Sequence, residues 1–352
     1  ASKAWYKPSA LPQLIARFDP PPAALPEHAS KKTIEVWTTT CIVTNFGMRD
    51  TDRLPHRESA QHLPLCSTLI NPANPNLTGP NTFPYFPRGG PQPLSQPIRP
   101  AHHIMGYVSQ WGGMDVGSGM LFPAEAIDGL VHQLGGLRLR AECALVPTHH
   151  YAHAYRNQQS EPKDTNSSEN DDTPAKCPVG AAAMTSPGGD ELQKHYGTII
   201  HTTPPFYNYP PSITRDLIEI LGIEEVSDLH LWSRELLRSC YRESFKLAFA
   251  NKSSIEGGQN SLIPNPLRLF GLGKPPTEQL GTRLAVPLMG AGCRSFPKDV
   301  ALEVAALESA SWLSNIDCEQ KMKDTTVVFG LLEKADAEEL STQLEKLLSD
   351  QA

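Results

Sequence analysis

The 352 residues are enough for one large domain or two modest ones, and a hydrophobic share of 39% is enough for a real core. A formal charge of −7 argues against a sequence-independent grip on nucleic acid or an anionic membrane, since both need a basic face. No apolar run is long enough to cross a bilayer. The stretch from Ala1 to Tyr6 lacks the apolar core of a signal peptide. Seven cysteines without a tight spacing pattern fit reduced thiols in an intracellular protein, cytoplasmic or nuclear.

Residues 1–32 are broken by Asp19-Pro20-Pro21-Pro22 and Leu25-Pro26, which predicts an N-terminal arm packed on the domain or a loose leader. Lys32 to Thr44 is the first strand region, rich in β-branched and aromatic residues at Thr33–Trp37 and Cys41–Val43. Leu63 to Ile70 ends in a short apolar strand. It runs into Asn71-Pro72-Ala73-Asn74, a polar fixture of the kind found past a strand end in α/β sheets, or a plain turn. Irregular, proline-rich insertions are expected at about 80–122, 149–175 and 251–282. The first includes the glycine-rich Trp111–Gly119, a weak phosphate-cradle signal without a clear preceding strand. The second begins with His149, His150 and His153, which read as a solvated cluster and not as a metal site.

Pro123 starts a helix in which Ile127, Leu130, Val131 and Leu134 form an apolar face. Asp128 and His132, four apart, then lie over one patch of its surface, and Gly129 leaves room beside the acid. Such a pair can place water and hold a hydroxyl. Equally, Asp128 can be a helix cap and His132 a half-buried ring with a backbone partner. After Leu137–Thr148, expected as helix then strand, Tyr196 to Pro205 reads as a buried strand entering a loop. Leu236 to Ala250 is an amphipathic helix. Arg283 to Met289 is a strand that enters Gly290-Ala291-Gly292 and a helix over Lys298–Leu313. Amides in such a loop wrap a phosphate, although a tight turn explains the glycines as well. A last strand, Asp324–Leu332, and a last helix, Ala335–Leu348, complete an alternating α/β pattern.

Taken together, the segments resemble the macro domain, the ADP-ribose-binding family, and most nearly its mono-ADP-ribosylhydrolases. Asn71-Pro72-Ala73-Asn74 is similar to the family's Asn-Ala-Ala-Asn. Ile127-Asp128-Gly129-Leu130-Val131-His132, followed by Glu142-Cys143, is similar to its Val-Asp-Gly-Ala-Ile-His segment. Cys177–Ala182, Ile199–Pro205 and Pro287–Pro297 match later signatures in the right order. The resemblance implies an α/β/α three-layer fold with a central mixed sheet, a single macro domain over residues 33–348. It implies ADP-ribose or ADP-ribosylated protein as partner, with neither cofactor nor metal. In catalysis, Asn74 would hold the distal ribose, Asp128 would activate water and His132 would align the acid. The ligand would be bound by Asn71, Ile127, Gly129, Leu130, Gly290, Ala291, Gly292, Cys293, Arg294, Ser295 and Phe296. A non-catalytic ADP-ribose reader is the alternative. The chain departs from the family pattern in three places. Roughly fifty residues separate Asn74 from Asp128, and Ala124-Glu125-Ala126 stands where glycines are usual. Thr39-Thr40-Cys41 carries no acid for an adenine amine, and Leu331 takes the position of a stacking aromatic.

Overall fold

The architecture comes from a computed structural model, which describes residues 11–20, 31–47, 64–79, 127–148, 175–208, 214, 218, 225–249, 283–292, 294–315 and 324–350. The expected insertions, Pro123, Glu125 and the His149–His153 cluster lie outside the described residues, as does Cys293.

Among the described residues, seven strands form one sheet: β1 (Gln13–Phe18), β2 (Lys32–Thr38), β3 (Thr68–Pro72), β4 (Ala182–Thr185), β5 (Thr198–Thr202), β6 (Arg283–Pro287) and β7 (Thr325–Leu331). Their spatial order is β1-β2-β7-β6-β3-β5-β4. The five inner strands are parallel and the two outer ones, β1 and β4, run antiparallel to their neighbours. Strands buried on both faces need apolar residues at consecutive positions, and Thr198-Ile199-Ile200-His201-Thr202 is buried at all five.

Among the described residues, the helices covering the sheet are α1 (Ile42–Asn45), α2 (Ile127–Leu145), α3 (Asp190–Gln193), α4 (Val226–Phe249), α5 (Lys298–Ser314) and α6 (Lys334–Ser349). Alternate strand residues feed two cores. Ile34, Val36, Ile70, Ile200, Leu284, Val286, Val327 and Phe329 pack with α4, α5 and α6. On the opposite face Trp37, Leu69, Ile199, Ala285 and Val328 pack with α1, α2 and α3. The result is the three-layer α/β/α arrangement with a mixed sheet that the sequence predicts.

Several boundaries differ from expectation. Within the expected arm, Gln13–Phe18 pairs with β2 over the register Gln13↔Thr38 to Phe18↔Ile34, so this segment is part of the sheet. Cys41 to Val43, read as strand, instead enters α1, with Ile42 and Val43 buried on the α2 face. No strand forms over Leu137–Thr148, the described residues here. The helix continues to Leu145, broken at Gly136, whose φ of 59° and ψ of −155° are not helical. Gly135 and Gly189 touch there, with Gly189 donating to the Gly135 carbonyl at 2.7 Å. A Cβ on Gly189 would lie 2.6 Å from that oxygen, so the close crossing requires glycine.

Neighbouring strands β3 and β6 are followed by elements on opposite sides. From β3 the chain goes through α2 toward β5; from β6 it goes through α5 toward β7. Such a reversal opens a crevice at the carboxyl ends of the two strands, the usual ligand position of an open α/β sheet.

Candidate active site

Three loops and one helix start meet at this crevice. The described residues of these loops are 73–79 after β3, 203–208 after β5, and 288–292 and 294–297 after β6; α2 begins beside them. In the first loop, the Asn74 side chain is almost wholly used in building its own turn. Its Nδ2 donates to the Gly79 carbonyl at 3.0 Å, and its Oδ1 accepts from the amides of Asn76 and Thr78 and from the Thr78 hydroxyl. The turn holds Leu77 at φ 55°, in the left-handed region that side chains rarely adopt. Gly79, at φ 64°, lies flat on His132: a Cβ there would come within 2.5 Å of the imidazole. The asparagine turn and the acid–imidazole pair therefore converge, across more than fifty residues of sequence.

Asp128 sits in the first turn of α2 with its side chain 17% exposed, and the side chain of His132, one turn on, is 1% exposed. Asp128 Oδ1 is 3.4 Å from His132 Nε2 and accepts a 2.7 Å hydrogen bond from Asn71 Nδ2. Burial raises the carboxyl above its ordinary value; His132, the Asn71 hydrogen bond and Arg294 pull it back. Burial also lowers His132, against the attraction of Asp128. Both shifts favour neutral forms, bringing acid and base toward a common range. A carboxylate so placed can take a proton from water, and a neutral imidazole can orient a hydroxyl.

Asn71 is the last but one residue of β3 and is fully buried. Its amide faces Asp128 on one side and His201 Nδ1, at 3.1 Å, on the other. Ile127 and Leu130 are half-buried against the α2-side core, and Gly129 is buried in the same first turn. In the loop after β6, Gly290 has φ 88° and Ser295, unusually for a residue with a side chain, φ 59°. Amides of Ser295 and Phe296 close this loop onto the carbonyls of Gly292 and Gly290. Ala291 is half-buried, while Gly292 and Ser295 face solvent, and a Cβ on Gly292 would meet no described atom within 4 Å.

Two features escaped the sequence reading. Arg294 was expected to offer an amide; its side chain is buried, with Nη2 donating to the Ala73 carbonyl at 3.2 Å and the guanidinium 4.2 Å from the centre of the Phe206 ring. One arginine thus ties the β6 loop to the loops after β3 and β5, and brings positive charge near Asp128. A charged residue inside a glycine-rich, apolar turn was the available signal. His201 was legible only as part of a strand motif. In the structure it joins Asn71 to Thr185, whose hydroxyl lies 2.8 Å from His201 Nε2.

His132, Cys143 and His201 bring one ligand atom each within 4.8 Å of one another, all buried. Burial pushes the Cys143 thiol up to about 12. An amide NH2 can only donate, so His201 Nδ1 accepts from Asn71 and Nε2 carries the proton toward Thr185.

The chain is thus an α/β protein with an acid–imidazole pair and a glycine loop at its topological switch point. No protein-family model matches the chain, and no curated protein does. Solved structures similar to it include macrodomains. A variant of the Oceanobacillus iheyensis macrodomain is 14% identical, with 96% of each chain covered and a TM-score of 0.43. Another variant of it, with ADPR, is 14% identical over 95% of this chain and 100% of that one, at a TM-score of 0.41. The Trypanosoma brucei macrodomain in complex with ADP-ribose is 14% identical over 79% of this chain and 62% of that one, at 0.35.

Proposed function

We propose that this chain is a macro-domain hydrolase that releases ADP-ribose from mono-ADP-ribosylated protein or from an O-acyl-ADP-ribose ester. The observation that carries the reading is the meeting of Asp128, His132 and Asn71 at the β3–β6 switch point, with Asp128 alone of the three partly open to solvent. Asp128, ionised, takes a proton from water as the water oxygen attacks the ester carbonyl carbon; the bond from that carbon to the ribose oxygen breaks, the ribose oxygen takes the proton back from Asp128, and the acyl group is released as a carboxylic acid that ionises in water. His132 aligns the acid or a ribose hydroxyl. The first amides of α2, at Ile127–Leu130, and the amides of Gly290–Gly292 hold the two phosphates, and the Arg294 guanidinium adds charge at the same crevice. Because Asp128 is raised by burial, turnover rises with pH through a point above the ordinary carboxylate range.

A reader that binds ADP-ribose without cleaving it is favoured by one observation: Asn74, assigned to the distal ribose, spends both side-chain oxygen and nitrogen on its own turn. Calorimetry with ADP-ribose tests both readings, and absence of binding at millimolar ligand removes both. Incubation with a mono-ADP-ribosylated acceptor then separates them. Asp128→Ala is expected to lose turnover by about 100-fold or more while keeping much of the affinity; unchanged turnover in that variant ends the catalytic assignment.

A further inference from the structure

Behind Asp128 runs a line of buried hydrogen bonds that ordinary packing does not require. His201, on β5, is fully buried and stands opposite Asn71 in the parallel β3–β5 register. The two hydrogens of the Asn71 amide go to Asp128 Oδ1 at 2.7 Å and to His201 Nδ1 at 3.1 Å. At the far side of the ring, Nε2 meets Thr185 Oγ1 at 2.8 Å, and Thr185 donates its own proton to the Ser186 carbonyl at 2.9 Å. The two Asn71 hydrogens have separate acceptors, and His201 Nε2, with Thr185 Oγ1 at 2.8 Å and the more distant Cys143 Sγ at 3.8 Å, carries the ring proton, so the ring tautomer and the amide orientation fix one another.

We propose that His201 is a positioning residue, which locks the Asn71 amide with its NH2 toward Asp128 and so holds that carboxylate ionised and aimed at the crevice. The inference rests on the hydrolytic reading of Asp128. Without an acceptor at the Nδ1 position, the Asn71 amide can turn its oxygen toward Asp128. Two acceptors then face each other unless the acid keeps a proton. Burial holds His201 down at about 3, so the ring remains neutral and its Nδ1 remains an acceptor across the working pH range. Among the described residues, the other groups bearing on Asp128 are His132 on the same helix, Arg294 from the β6 loop and Cys143 from the rear half of α2. None of these sets the orientation of Asn71.

The test is a pH–rate profile of ADP-ribosyl release for His201→Gln, His201→Asn and Thr185→Val. Glutamine reaches the Nε2 position and loses the Nδ1 acceptor; asparagine keeps an oxygen near Nδ1. His201→Gln is expected to lower kcat by about 10- to 100-fold with KM within about twofold, and to move the acid limb up by about one pH unit. His201→Asn is expected to restore most of both. Thr185→Val, which frees the ring proton to shift to Nδ1, moves the limb the same way by less, and reports if the glutamine variant does not fold. A native acid limb in His201→Gln, or no rescue by asparagine, overturns the proposal, because a merely structural defect lowers the folded fraction without moving the limb. Zinc bound stoichiometrically at His201 would also overturn it, since that nitrogen could not then donate to Thr185. If the native protein releases no ADP-ribose, the hydrolytic reading fails by itself. Carboxyl-carbon NMR titration of Asp128 then decides the positioning: a rise in His201→Gln upholds it, and no change overturns it.

Discussion

After β3 the chain closes on itself: Asn74 satisfies three backbone groups of its turn, and Gly79 presses flat against His132. After β6, the adjacent strand, the loop closes at its base but its tip stays open, with Gly292 and Ser295 in solvent and no described atom beside Gly292. One side of the crevice is a finished polar support whose hydrogen bonds end within the protein. The other presents bare backbone. Support and reception are divided between two neighbouring strands, and substitutions on the two sides should therefore fail differently.

The largest difference is expected at acid pH. His201 is held at about 3 against an ordinary 6.5, so below neutrality the unfolded chain takes up a proton that the folded one refuses. Stability is intact above about 6.5 and is lost as pH falls toward 3, by at most about 5 kcal/mol from this group. His132 adds in the same direction, whereas Asp128, raised by burial, opposes it in the carboxylate range. Acid-unfolding curves of the native protein and His201→Asn should diverge over that window; parallel curves would mean that the ring is protonated when folded.

Next in size is Gly79→Ala. A positive φ and a contact at 2.5 Å with the His132 ring predict a loss of about 2–3 kcal/mol by urea unfolding, together with displacement of His132. Asn74→Ala leaves the amides of Asn76 and Thr78 without their acceptor, at about 1–3 kcal/mol in the same measurement. On the open side the pattern reverses. Gly292→Leu should leave stability within about 0.5 kcal/mol while weakening ADP-ribose binding about tenfold or more by calorimetry, because its side chain enters free space over the amides. Smallest is Ser295→Gly, which relieves a left-handed serine and should stabilise by about 1 kcal/mol.

These contrasts mark what the amino-acid order makes legible. Runs such as Ile199-Ile200 and Val327-Val328 announce inner strands because parallel strands bury both faces, and Val300, Val304, Leu307 and Trp312 announce α5 by period. The Asp128–His132 spacing and the Gly290 loop were readable for the same local reasons. Gln13–Phe18 was not, since its strand character comes from pairing with β2, a long-range event that the surrounding prolines conceal. Asn71 looked like a loop residue facing a ligand. Register instead sets it inside β3 against His201, and no local pattern encodes register between strands more than a hundred residues apart. Arg294 belongs to the same class: its guanidinium finds Ala73 and Phe206 only after three loops have met.

The antiparallel strand β1 has a practical consequence. A shortened protein beginning at Lys31 would strip that outer row of hydrogen bonds and leave the apolar strand Ile34-Glu35-Val36-Trp37 with unpaired amides along one side. Bare borders of this kind recruit strands from other molecules. Trimming to the motif-bearing segment thus invites clumping, and keeping residues 13–18 prevents it.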